Sequence, residues 1–283
     1  MSARKYLILI IFILALLGPS FFIAYQDSKI KQPAVQNTPP TVSTPDISTP
    51  EKVSPPNELV KIPAPAGKAV SIPILMYHEI SEGPDCMWVS DKDFHAQMKY
   101  LHDNGYQTIT LSQAVELLTG HYDTSKKVVL TFDDGYLTFY THAWPVLKEF
   151  NQQATIFVIS KLVGTPEYLT WEQISFLAAN GIEVGGHTRT HPLLPTLSVS
   201  NSNLEIAGGK QDIEAQVGKI ITTFCYPTGK YNTQIIQQVK GAGYVAGVTM
   251  EQRKASSTEN LFLLPRWGVY KGDSLERFKT VIK

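Results

Sequence analysis

Two runs of this chain, KKVVLTF (Lys126 to Phe132) and ATIFVIS (Ala154 to Ser160), are apolar without the alternation of a half-wet strand. Unbroken runs this short, rich in β-branched residues, belong to strands covered on both faces. Parallel sheets need such cover, and the helices of their crossover connections supply it. The chain from Ser71 onward fits this pattern. SIPILMYH, YQTITL, GIEVGG, ITTFCYP, GYVAGVT and NLFLLPRWGV read as further strands. Between them lie helical segments. SDKDFHAQMKYLHDNG has Ser90 as N-cap, Phe94, Met98 and Leu101 on one face, and Gly105 as its stop. SQAVELLTG is a short helix, LTFYTHAWPVLKEFN starts or kinks at Pro145, and Thr170 opens EQISFLAANG with a capping box. SLERFKTVI closes the chain. The alternation predicts an α/β fold, a distorted (β/α) barrel of about seven strands rather than an open doubly wound sheet. No G-x-G-x-x-G follows the first strand, which argues against a dinucleotide site.

The N-terminus differs in kind. Arg4 and Lys5 precede an apolar stretch, Tyr6 to Tyr25, broken only by Gly18, Pro19 and Ser20. About 20 such residues can span a bilayer. Residues 1–26 are therefore expected to form a membrane anchor, with a cleaved secretory signal as the alternative. The basic flank would stay inside and the remainder would face outward. Residues 27–70, rich in Pro, Thr and Ser, are expected to be a linker, and 71–283 the folded domain. Lysine plus arginine and aspartate plus glutamate number 25 each, so the chain has no net charge and lacks the footprint of a nucleic-acid binder. No protein partner is evident. Cys86 and Cys225 can pair or stay free; two cysteines do not decide it.

Barrels of this kind carry function at the C-terminal ends of strands. There, LTFDDGY ends a buried strand on two adjacent carboxylates, Asp133 and Asp134, which repel each other unless something compensates them. GIEVGG is followed by HTRTHP, with His187 and His191 four apart and Pro192 keeping them in a loop. Two imidazoles and a carboxylate form a common set for a divalent metal with open positions. One acid would be a ligand and the other a free base for water. DDG alone is ordinary turn chemistry, and a lone H-x-x-x-H is weaker still; the combination at two strand ends is far more specific. After ITTF, Pro227 and Gly229 in CYPTGKYN make a turn whose exposed N–H groups suit an oxyanion.

LTFDDGY, HTRTHP and FCYPTGKYN, in this order and spacing, resemble the first three motifs of the polysaccharide deacetylase family (carbohydrate esterase family 4, the NodB-homology domain). The resemblance covers roughly residues 71–283. It implies metal-dependent removal of N-acetyl groups from an N-acetylated amino-sugar polymer, with zinc the usual ion. It further implies Asp133 as general base, Asp134, His187 and His191 as metal ligands, and the Thr228 backbone N–H as oxyanion donor.

Two departures stand out. Where the family's third motif carries an arginine that orients the base, this chain has Cys225, and where an aromatic follows the proline it has Thr228. Arg266 in LLPRWGV is a candidate replacement, an exposed strand cap being the bland alternative. The C-terminal histidine that serves as acid in many members is absent, since no histidine follows His191. His78 in ILMYHEI, at the end of the first strand, is the candidate acid and resembles the subgroup with poly-N-acetylglucosamine deacetylases. An inactive glycan-binding module that retains the metal, or an O-acetyl esterase, are the alternatives. Trp88, Trp171 and Trp267 can stack on sugar faces or serve the core.

Overall fold

The computed structural model describes residues 59–283. The expected anchor at 1–26 and residues 27–58 of the expected linker lie outside them. Among the described residues no helix is long and apolar enough to cross a membrane.

Eight parallel strands form one curled sheet: β1 (Ile74–Tyr77), β2 (Gln107–Ile109), β3 (Lys127–Phe132), β4 (Thr155–Val158), β5 (Glu183–Gly186), β6 (Thr223–Cys225), β7 (Ala246–Val248) and β8 (Trp267–Gly268). Seven run in the order β7-β6-β5-β4-β3-β1-β8, and β2 pairs with the first half of β3. The two ends of this order approach each other through one segment. Leu264 bridges to Val248 on β7, and three residues later β8 pairs with Leu75 and Met76 of β1. The distorted barrel expected from the alternation is the observed fold.

Alternation along β3 explains the two buried clusters. Val128, Leu130 and Phe132 point outward to the helices, while Val129 joins Ile74, Ile109, Phe157, Val248 and Leu264 in the barrel interior. Thr131 and Asp133 continue the inward side, so the interior turns polar toward the C-terminal end. The helices are α1 (Asp91–Asp103), α2 (Leu111–Thr119), α3 (Trp144–Glu149), α4 (Trp171–Ala179), α5 (Val199–Val217), α6 (Thr233–Gly241) and α7 (Leu275–Ile282). The expected caps form. Ser90 Oγ accepts from Asp93 N, and Thr170 and Gln173 cap each other reciprocally. Pro145 follows a π-helical turn, Phe139–Ala143, that leads directly into α3, so the proline marks an irregularity in the helical run rather than its start.

Two expected strands are shorter than the sequence suggests. SIPILMYH is divided at Pro73, leaving Ser71–Ile72 to pair antiparallel with Ala255–Ser256. In NLFLLPRWGV, Leu261–Leu263 is a 3₁₀ turn, Leu264 makes a single bridge to β7, and only Trp267–Gly268 forms a strand. Pro265 has no donor, and the Arg266 N–H goes to Glu251 O instead of a strand.

The chain already packs on the domain before Ser71. Ala64 N donates to His121 O, Asp123 N donates to Ile62 O, and Val70 is buried. A chain starting at Ser71 retains both clusters apart from Val70 and is expected to fold. One starting at residue 59 should be more stable by about 1–3 kcal/mol, the worth of a few hydrogen bonds and a small apolar contact. Urea midpoints of the two chains test this; equal midpoints would mean that the strap rests on the surface without stabilising it.

Candidate active site

Each motif identified in the sequence sits on the C-terminal rim of the sheet, and the turns there are strained. Asp134, His191 and Thr228 all have positive φ (72, 59 and 56°), a region non-glycine residues rarely adopt and one that clusters at functional sites. Gly135 follows at φ 81°, with Val158 Cα 3.6 Å from where its Cβ would stand. This tight turn takes Asp134 out of the strand line while Asp133 stays inside the barrel.

The HTRTHP loop is held by α5. Glu205 accepts from the N–H groups of Arg189 and Thr190 (2.9 Å each), and Asp212 accepts from Arg189 Nε (3.0 Å) and Ser160 Oγ (2.8 Å). Between them, Gly209 meets the loop backbone so closely that a Cβ would lie 2.8 Å from Thr188 C. Residues 205, 209 and 212 share one helix face, a spacing that was readable in LEIAGGKQDIE once the loop was suspected.

His187, His191 and Asp134 converge. Asp134 Oδ1 lies 3.3 Å from His187 Nε2 and 3.7 Å from His191 Nε2. It is buried and makes no hydrogen bond, a costly state that a cation would relieve. His187 Nδ1 donates to the Cys225 carbonyl (2.7 Å), which leaves the Nε2 lone pair free for a ligand's role. Burial and the neighbouring His187 charge lower the pKa of His191, which favours the neutral, ligating form. Burial opposes ionisation of Asp134, but the nearby His187 outweighs it and lowers its pKa. For His187, burial is outweighed by Cys225 and Asp134, so its pKa is raised. These residues fit a divalent cation. A second trio, Asp133, His187 and Cys225, is also close enough to ligate, but the first and last already receive the Arg266 guanidinium.

Arg266 is the residue whose place the sequence left open. It is fully buried, not an exposed cap, and all five of its N–H donors are used. Nε donates to Thr249 O (2.9 Å), and Nη1 to Thr131 Oγ1 (3.0 Å) and Asp133 Oδ1 (2.7 Å). Nη2 donates to Asp133 Oδ2 (2.8 Å) and Cys225 Sγ (3.2 Å). Burial alone would raise the Asp133 pKa. The Arg266 charge and hydrogen bonds outweigh that, with help from His78 and His187, and hold the carboxyl well below its usual range. Cys225 and Cys86 are free, and burial raises the pKa of the Cys225 thiol. Its small side chain leaves the room that the guanidinium fills.

His78 Nε2 stands 4.0 Å from Asp133 Oδ2, on the same side as the metal trio. At the turn after β6, Gly229 N donates back to Tyr226 O, and Thr228 is exposed. Sequence reasoning missed Tyr136, directly after DDG, whose ring stacks on Tyr168 (centroids 5.0 Å apart). Burial and the Asp134 charge raise the Tyr136 pKa, which puts this pair beside the carboxylate.

YxkH of Bacillus subtilis (strain 168), assigned by name to the polysaccharide deacetylases, is 40% identical over 217 residues, 76% of this chain and 77% of that protein. The chain belongs to the polysaccharide deacetylase family. The family's sequence model matches residues 121–247. The Escherichia coli (strain K12) poly-β-1,6-N-acetyl-D-glucosamine N-deacetylase is 27% identical over 68% of this chain, which spans only 35% of that longer protein. Among solved structures, the Streptococcus pyogenes deacetylase PplD, determined in complex with acetate, superposes with TM-score 0.73 and 29% identity over 76% of this chain and all of that one. IcaB from Ammonifex degensii gives TM-score 0.68 and 25% identity over 75% and 97% of the two chains.

Two outcomes follow from this geometry. Purified deacetylase should carry about one divalent metal per chain, with affinity falling as the pH is lowered and His187, its pKa raised, takes up the proton that metal must displace. Elemental analysis of a His187→Ala, His191→Ala double variant should find the metal lost; full occupancy would exclude the site. Replacing Arg266 by Ala leaves a buried carboxylate without its counter-ion and should cost about 3–5 kcal/mol in denaturant unfolding. Arg266→Lys should rescue little, since a point-charge ammonium cannot make the five contacts.

Proposed function

We propose that this deacetylase is a metal-dependent hydrolase that removes N-acetyl groups from an N-acetylglucosamine-containing polysaccharide of the cell wall or extracellular matrix and releases acetate. The observation that carries the reading is an unpartnered, buried Asp134 oxygen facing two histidine nitrogens, with a second carboxylate, Asp133, adjacent and kept ionised. A divalent cation held by Asp134, His187 and His191, zinc by the preference of such donors, would supply a Lewis acid that polarises the acetamide and acidifies the attacking water. Asp133 accepts the water's proton as the oxygen bonds to the carbonyl carbon. Clamped by Arg266 on both oxygens, it stays a carboxylate through neutral pH and cannot rotate out of line. The Thr228 N–H at the strained turn donates to the carbonyl oxygen as that oxygen gains charge. His78, within reach of the same space, gives a proton to the nitrogen as the C–N bond breaks, because an amide anion is a very poor leaving group. Acetate and a free amine leave, and solvent exchange returns both residues to their starting states.

The relatives named as poly-β-1,6-N-acetyl-D-glucosamine N-deacetylases support that substrate class. The apolar residues 1–26 and the proline-rich stretch after them suggest a domain held outside the cell membrane, or secreted if that segment is cleaved. Acetate release from N-acetylated and O-acetylated oligomers separates the amidase from an esterase and from a binding module. Asp133→Asn keeps the size and removes the base, so acetamide turnover should fall about 100-fold or more with metal retained. His78→Ala should slow the acetamide far more than an activated phenyl acetate, whose leaving group needs no proton. Equal losses on both substrates would remove His78 from the acid role.

A further inference from the structure

The three tryptophans that the sequence offered for sugar stacking part company in the fold. Trp171 and Trp267 pack against the hydrophobic core, whereas Trp88 is half-buried and belongs to neither buried cluster. Trp88 instead lines a cleft of about 250 Å³, together with Ser81, Ser90, Asp93 and Lys271. The cleft lies where the chain leaves β1. Glu79, next to His78, is in register with Trp88 in a short parallel ladder that continues through Ile80 and Val89. Neighbours in such a ladder are about 5 Å apart, so the cleft begins within a sugar's width of the acid candidate.

Its walls are preformed. Gly83 lies against the indole, where an added Cβ would come within 1.8 Å of a ring carbon, so the ring is held in place by backbone. Lys271 Nζ donates to Gly83 O (2.5 Å), Lys271 N to Cys86 O (3.0 Å), and Ser81 N to Val89 O (3.0 Å). Asp93 Oδ2 receives the Ser90 hydroxyl (2.8 Å), while among the described residues its Oδ1 takes no hydrogen bond. Lys271 keeps donors to spare beyond the one it spends on Gly83. An immobile aromatic ring beside a carboxylate, a hydroxyl and an ammonium matches one ligand chemistry well. A pyranose with equatorial substituents has a C–H face that lies on an indole and an edge of hydroxyls that both donate and accept. With Glu82 and Asp93 against Lys271, an anionic ligand is disfavoured.

We propose that this cleft is a subsite for the sugar unit next to the one being deacetylated, with Trp88 beneath the ring and Asp93, Ser90 and Lys271 at its hydroxyl edge. The identity of the flanking unit rests on the deacetylase reading; binding of a glycan here does not. The test is calorimetric titration of the full chain with a β-1,6-linked N-acetylglucosamine pentamer, alongside acetate release from pentamer and monomer. Trp88→Ala removes the platform, and Ser81→Trp fills the cleft without touching the indole's support. Both should weaken pentamer binding about tenfold or more and reduce the preference for pentamer over monomer in kcat/KM. Pentamer affinity and chain-length preference that are unchanged in both variants, or no pentamer binding by the native chain, would overturn the subsite. Pentamer binding that depends on Trp88 without acetate release from any oligomer would instead sink the deacetylase reading and leave the subsite standing.

Discussion

One buried ion pair organises the top of this barrel. A buried carboxylate at the end of a strand cannot remain ionised on its own, because burial without a partner costs several kcal/mol. Arg266 makes it tolerable by meeting both oxygens of Asp133 while spending its other donors on Thr249, Thr131 and Cys225. That contact is also what the closing segment, Leu264 to Gly268, carries between the two edges of the sheet. Closure of the barrel and ionisation of the proposed base are therefore one structural event. Where the family pattern has an arginine, at position 225, a thiol stands here, and the cation comes instead from the segment leading into β8.

Around this pair the rim is held rather than relaxed. Left-handed backbone at Asp134, His191 and Thr228 persists because other elements over-determine it. Glu205 and Asp212 fix the HTRTHP loop from α5, Gly209 lets the helix come that close, and the Cys225 carbonyl selects the His187 tautomer. Preorganisation of this kind is what lets small groups act on an amide, since no reorganisation is left for the moment of reaction.

Much of this was legible in local sequence. LTFDDGY announced a two-sided strand ending on acids because apolar continuity and turn chemistry are nearest-neighbour properties. Ser90 and Thr170 capped their helices for the same reason, and the spacing in HTRTHP set two histidines just past one strand end. The misses were of another kind. NLFLLPRWGV looked like a strand, yet Pro265 and the diversion of the Arg266 N–H to Glu251 leave only two residues as a strand. Residues before Ser71 looked like pure spacer, yet Ile62, Ala64 and Val70 engage the domain through partners fifty or more positions away.

The sequence by itself determined the alternating α/β order, the positions of the acids and histidines at strand ends, and the family resemblance, since each depends on residues close together in the chain. Only the tertiary structure decided which arginine serves Asp133, why a cysteine is acceptable at position 225, and which tryptophan stands free of the core. Arg266 is 133 residues from Asp133 and 41 from Cys225. Whether such groups meet is set by the curl of the sheet and the register of its strands, and no local pattern of residue types encodes that distance.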